Sequence, residues 1–375
     1  MKTPKPSANA AQTTPPTPAP PPPPLWRPNR ESAYMAVQLG LEGKGTSQIA
    51  EIMYGSKSPT EIERVNSLFE FAGSRGFVSM LPPENPELQI QLQERYRGHI
   101  RFHVVNNDYA AYDDHPRFHD HTHADAVCHQ AANVVATKIH ELMFQRRSGD
   151  ARPIVIANAG GRAVSRLVHF LGGQKRLPEE ADPAKLLFIS LNSASMPNEY
   201  GLSANTLTVR MAEIYGGRHI ALCPVWPDEI RKAYETAVNH IDLLICGAGA
   251  RHGILFTWLD NHAKINLPGR AVGDVCLIPI TAQGDEVPLI EKAPERIRKI
   301  LNPHPTYSAL QTLAAQDGVV FIPTGGPRDD GRQGKSAGAS GKHSKLEVTR
   351  AILDHSLTRT CVLGATLARD LLESP

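Results

Sequence analysis

The chain has 375 residues, 41% of them hydrophobic, and a formal charge of +2 from 40 basic and 38 acidic side chains. That length allows two domains with substantial cores, and the charge balance excludes a polycation that binds nucleic acid or membranes by bulk charge. The five cysteines are scattered without a CxxC pair, no apolar run could span a bilayer and the N-terminus lacks the apolar core of a signal peptide, so a soluble cytoplasmic protein is expected.

Residues 1–30 contain eleven prolines. Such a segment cannot bury a core and is expected to be a disordered arm with polyproline II character. From residue 31 apolar residues recur at helical spacing, as Tyr34, Val37 and Leu41, then Ile49, Ile52 and Met53, then Ile62, Val65, Leu68, Phe69 and Ala72. Ser58-Pro59-Thr60 marks the start of the third helix, and Gly76-Phe77-Val78-Ser79-Met80 reads as a short strand. Residues 31–97 are therefore expected to hold a degenerate winged helix-turn-helix and a linker, with a connecting helix through Leu88, Leu92 and Tyr96. Its candidate phosphate contacts are Lys57, Arg64 and Arg75. Residues 31–81, however, carry four basic side chains against six acidic ones, and the third helix opens Thr60-Glu61-Ile62-Glu63. That polarity argues against a DNA-binding face, because neutralised phosphates supply most of the binding energy.

Pro82-Pro83 and Pro86 mark a boundary, and Ile100–Val105 reads as the first strand of the next domain. A histidine cluster follows. His119 and His123 stand at i,i+4, a spacing that suits two imidazole ligands of a metal, but no defined metalloprotein motif accompanies them. A polar surface segment is the leading reading and the metal site the minority one. Ala124–Met143 then reads as an amphipathic helix.

From residue 151 strands alternate with helices. The expected strands are Ile154–Ala157, Leu186–Leu191, His219–Leu222, Leu243–Cys246, Asp274–Ile280, Val319–Ile322 and Thr360–Leu363. Helices are expected at Ala204–Tyr215, Asp228–Asn239, Glu291–Leu301 and Lys345–Ser356. This rhythm predicts an α/β fold, a mostly parallel sheet with helices on both faces. Ligands of such sheets bind at the carboxyl ends of the strands. Glycine turns recur there, at Gly160-Gly161, at Gly247 and Gly249, and at Gly325-Gly326. The first lies between a strand and a helix, so it is either an ordinary βα turn or an anion site at the positive end of a helix dipole. Residues 327–344 are polar, basic and rich in Gly and Ser, and read as a flexible insert. The insert is either a lid carrying Lys335, Lys342 or His343 over an anion, or a loop without a role.

The order of short motifs resembles the SorC-type (DeoR-related) sugar-binding transcriptional regulators. Ala157-Asn-Ala-Gly-Gly-Arg162 is similar to that family's glycine-rich phosphate loop, and Ser190-Leu191-Asn192 to its second strand. Asp242-Leu-Leu-Ile-Cys-Gly-Ala-Gly249, Ala271-Val-Gly-Asp-Val275 and Val319-Val-Phe-Ile-Pro-Thr-Gly-Gly326 resemble later motifs in the family's order, and Leu367-Ala368 to Leu371-Leu372 its closing helix. The resemblance covers residues 98–375 well and 31–81 faintly. It implies a sugar-isomerase-like effector domain over 98–375 that binds a phosphorylated sugar and modulates operator release by an oligomer, a homodimer or homotetramer. By motif position, Gly160, Gly161 and Arg162 would hold the phosphate. Asn192, Gly247, Gly249 and Asp274 would line the sugar pocket, with Thr324, Gly325 and Gly326 closing it and Lys345, or Lys342 in its place, reaching the ligand. Ala163 stands where the family places threonine, which removes one hydroxyl donor.

The leading expectation is thus a sugar-phosphate-responsive transcriptional regulator of carbohydrate metabolism, not an enzyme, with no cofactor and no membrane partner. A sensor or adaptor that has lost DNA binding is the first alternative. A sugar-phosphate isomerase or deaminase is the second, with Asp242 and Asp274 as its only motif-placed acid–base candidates.

Overall fold

In a computed structural model of the chain, the residues described are 26–74, 81–106, 119–146, 152–174, 177, 181–191, 202–222, 227–251, 255–256, 259, 271–288, 306–324 and 345–373, with backbone alone at 74 and 119–123. The chain divides into two compact units, residues 1–74 and 75–375.

The first unit contains α1 (Arg30–Leu41), α2 (Thr46–Tyr54) and α3 (Pro59–Ser74). Asn29 caps α1 by accepting the Ser32 N–H at 2.9 Å, and α2 stops at Gly55, whose φ of 70° is left-handed. The core is Ala33, Ala36, Ile49, Ala50, Val65, Leu68 and Ala72, all fully buried. The helical spacing is confirmed, but the α1 face is not the expected one, and Ile52 of the expected α2 face is 53% exposed while Ala50 is buried. Alanines let α1 approach α3 closely, and Tyr34 and Leu41 are left 66% and 82% exposed. Residues 76–80, the expected strand, lie outside the described residues, as do the proline-rich residues 1–25.

The second unit starts ahead of the first strand. α4 (Pro86–Arg95) buries Leu88 and Leu92 in the core of this unit, so the expected connecting helix is part of it. A parallel sheet follows, from β1 (Arg101–Val105), β2 (Ile154–Asn158), β3 (Leu186–Ser190), β4 (Arg218–Ile220), β5 (Ile241–Cys246), β9 (Val319–Phe321) and β10 (Thr360–Gly364), in the order β1-β10-β9-β5-β2-β3-β4. Every residue of β2, β3 and β10 is buried, which is why these strands read as continuous apolar runs. Ile154, Ile156, Leu186 and Phe188 face α5 (His119–Gln145), α6 (Arg162–Leu171) and α7 (Ala204–Tyr215). Val155, Ala157, Leu187 and Ile189 face the core shared by α4, α8 (Asp228–Val238), α9 (Tyr307–Ala315), α10 (Leu346–Asp354) and α11 (Ala365–Glu373).

The chain runs outward from β2 through β3 to β4, then returns to β5 on the other side of β2 and runs outward again through β9 and β10. The strand order therefore reverses between β2 and β5, where α/β sheets open a crevice at their carboxyl ends. The edges are managed differently. Along β1, Pro83 to Asn85 pairs as an antiparallel segment, through Asn85 N–H to Val104 O at 2.7 Å and Asn106 N–H to Pro83 O at 2.8 Å. At the other edge β4 has three residues, with Arg218 and His219 exposed.

One expected strand is two. Asp274–Ile280 splits into β7 (Ala271–Val275) and β8 (Ile278–Thr281), which join β6 (Ala248–Ala250) in a separate antiparallel sheet. Cys276 and Leu277 turn the chain with φ of 52° and 65°, and neither is a residue that advertises such a turn. The expected helix Glu291–Leu301 lies outside the described residues, whereas α9 was not among the expected helices.

Candidate functional site

The turn after β2 sits at the switch point. Asn158, fully buried at the end of β2, accepts the Gly160 N–H at 3.0 Å and donates to Thr208 Oγ1 at 2.6 Å and Ala204 O at 3.3 Å. Gly160 and Gly161 have φ of 72° and 90°. A Cβ on Gly160 would fall 2.8 Å from Ala204 N and 2.9 Å from Leu202 O, so only glycine lets the loop lie against the start of α7. The Gly161 N–H donates to Leu202 O at 2.8 Å. Both glycine N–H groups are thus used inside the protein. The first turn of α6 begins beyond them, with Gly161 as an N-cap that has no side chain to cover it and with Arg162 exposed. The anion-binding potential of this turn therefore resides in α6 and Arg162 more than in the two glycines, whose role is to shape the loop.

The second half of the site follows β5. Gly247 packs between β9 and α6, where an added Cβ would lie 3.3 Å from Ile322 O and 3.4 Å from Ala163 Cβ. Gly249 pairs with Asp274 across β6 and β7, and a Cβ there would fall 1.9 Å from the Asp274 Oδ1. The glycine makes room for a buried carboxylate. Burial pushes the Asp274 carboxyl up to about 6, opposed by the Lys345 charge and by the Leu277 N–H that the carboxylate accepts, a bond that also fixes the Cys276–Leu277 turn. Lys345, just ahead of α10, donates from Nζ to Ala248 O at 2.6 Å. Burial lowers its pKa to about 8; the Asp274 charge opposes that shift and the Arg162 charge adds to it. Arg162, Lys345 and Asp274 therefore share one electrostatic neighbourhood, two cations against one carboxylate, at the edge where β2 and β5 end.

The structure thus brings Gly160, Gly161, Arg162, Gly247, Gly249, Asp274 and Lys345 to one edge of the sheet. Thr324 follows β9 at that edge, its N–H donating to Ile322 O at 3.0 Å. Asn192, Gly325, Gly326, Lys342 and the 327–344 insert lie outside the described residues. Asp242 is at the opposite end of β5, where its carboxylate takes the Arg146 guanidinium and the Val155 N–H, the latter at 2.8 Å. It is a strand-end brace. His119 and His123 fall in α5 with side chains outside the described residues. Among the described residues no group of three or more His, Cys, Asp or Glu is placed to hold a metal.

Two participants were not legible beforehand. Cys128 donates from Sγ to Ala163 O at 3.4 Å, its thiol pushed up to about 12 by burial. Ser203, the buried N-cap of α7, makes no capping bond, although a serine directly before a helical pattern is a local signal. Asn205 reads from the sequence as a helix-start polar residue or, less readily, a pocket amide; it lies in the first turn of α7 and joins the carboxyl ends of β3 and β4, taking the Ser190 hydroxyl at 2.5 Å and the Leu222 N–H at 2.8 Å.

In the first unit Lys57 pairs with Glu51 at 2.9 Å, and Arg64 pairs with both oxygens of Glu61 at 3.0 Å while lying over the Trp26 and Tyr54 rings. Arg75 is outside the described residues.

No family model and no curated protein matches this sequence. Solved structures do. A probable sor operon regulator from Shigella flexneri aligns with 77% of this chain and 99% of its own at 18% identity and a TM-score of 0.50. A domain of a possible sugar-binding transcriptional regulator from Arthrobacter aurescens TC1 aligns with 79% of this chain and all of its own at 17% identity and a TM-score of 0.51. The chain has their fold. The architecture implied by the motif order is therefore the one observed, a mostly parallel seven-stranded sheet with helices on both faces.

Proposed function

We propose that this protein is a sugar-phosphate-responsive transcriptional regulator whose second unit binds its effector at the switch-point edge. The observation that carries the reading is the convergence there of the start of α6 and Arg162 with Lys345 and the Asp274 carboxylate beside it. An anionic group would face the start of α6 and Arg162, while Asp274 and the Ala248–Gly249 backbone offer acceptors and Lys345 a donor to sugar hydroxyls. Gly325, Gly326 and Asn192 are proposed to complete the pocket, on the strength of the motif order alone. Coupling needs two arrangements of an oligomer, a homodimer or homotetramer, with different affinity for the effector.

One observation favours a second reading, a sensor that has lost DNA binding. Lys57 and Arg64 are both occupied by glutamates of their own unit. Electrophoretic mobility shift with the upstream region of its own gene, over a salt series and with a panel of phosphorylated sugars, separates the two. A salt-sensitive shift that the sugars alter supports the regulator; no shift together with sugar-dependent stabilisation supports the sensor. No described helix is long and apolar enough to cross a membrane.

A further inference from the structure

We propose that α5 carries the state of the effector edge to the segment by which the chain enters the second unit, with Cys128 as its receiving contact and Gln130 as its output. This rests on the effector reading above.

Residues 125–130 make about one and a half turns of α5. On one side they are fastened to α6. Asp125 meets Arg166 at 3.5 Å, Cys128 donates to Ala163 O, and the His129 ring stacks on Phe170 at 4.8 Å while its Nε2 lies 3.0 Å from Gln174 Nε2. Ala163 lies in the first turn of α6, the turn that would meet an anion.

Gln130 points elsewhere. It is 4% exposed, and its Nε2 donates to Glu84 Oε1 at 2.5 Å while its own Oε1 is buried with no partner among the described residues. A buried amide that leaves an acceptor unsatisfied costs stability where a leucine would pack without loss, so packing alone does not account for this glutamine. The group it does satisfy belongs to the entering segment. The Glu84 carboxylate also takes Gln89 Nε2 at 2.8 Å and lies 3.1 Å from His103 Nδ1, which ties that segment to α4, β1 and α5 together. The segment itself is held on β1 by the two backbone bonds of Asn85 and Asn106. Such an edge pairing has two discrete states, paired and released, and is the element that a small displacement of α5 would bias.

Hydrogen–deuterium exchange of residues 83–106 in the full chain tests the coupling without any ligand. Cys128→Ala, which removes the contact to Ala163, should change exchange there about threefold or more, and the same substitution in a Gln130→Leu background should change it little. Glu84→Leu, which removes the acceptor of the Gln130 amide, should reproduce the Gln130→Leu result. No response to Cys128→Ala, or an equal response with and without Gln130, overturns the proposal. Glucose 6-phosphate and inorganic phosphate are then added in parallel melting and exchange experiments. Stabilisation without any change at 83–106 also overturns it. A response to Cys128→Ala without stabilisation by either probe upholds the coupling and counts against the phosphate reading of the edge.

Discussion

Among Arg162, Lys345 and Asp274 at the proposed effector edge, Arg162 is the most exposed, and its substitution should separate binding from folding. Arg162→Ala is expected to abolish the rise in Tm caused by a phosphorylated sugar while leaving the unliganded Tm within a degree or two, as read in a thermal-shift titration. Lys345 sets the pH range. With a pKa lowered to about 8 it is protonated below that value and neutral above it, so affinity for an anionic sugar should fall as pH rises from 7 to 9. Calorimetric titration across that range should show the fall in the wild type and a flat profile in Lys345→Gln. Gly249→Ala should force its methyl group against the buried Asp274 carboxylate and destabilise the protein by about 1–3 kcal/mol in urea denaturation. Gly249→Ala with Asp274→Ala should cost less than the sum of the two alone.

Strands and helices differ in how much of themselves they write into sequence. β2, β3 and β10 are buried on both faces, so a run of apolar residues is enough to reveal them. The β7–β8 hairpin conceals itself, because Cys276 and Leu277 adopt left-handed conformations without glycine or asparagine and the apolar run passes through the turn unbroken. α1 misled through its large side chains, since the burial went to Ala33 and Ala36. The glycines of the site were legible from their places after strands, and Lys345 only from motif order. The Asn158 contact with α7 depends on a helix about fifty residues away, which no local pattern records. That contact yields a prediction for the element it holds. Asn158→Ala leaves the Gly160 N–H and the Thr208 hydroxyl without their shared partner, and should cost about 1–3 kcal/mol in equilibrium unfolding. It should also weaken sugar-phosphate binding, because the loop ahead of α6 is no longer pinned to α7.

At the scale of the whole molecule, the two units carry different kinds of charge. The proposed effector edge gathers Arg162 and Lys345, whereas Lys57 and Arg64 of the three-helix unit are tied to glutamates. Exposed ion pairs of this type contribute little stability, so Lys57→Ala should leave Tm nearly unchanged. Its effect on the salt dependence of any mobility shift should also be small, since Lys57 would have to leave Glu51 to reach a phosphate.

The pairing of Pro83 to Asn85 along β1 has a further consequence, for the protein's company in solution. β4 is short and exposes Arg218 and His219, so it offers little to a passing strand. β1 is longer and is protected by that one segment and by α4. A shortened chain beginning at residue 81 should stay monodisperse in light scattering, whereas one beginning at residue 99 should self-associate through the bared strand. Release of the segment during signalling would open the same seam briefly, which sets the transmission of a message directly against the hazard of capture by another copy.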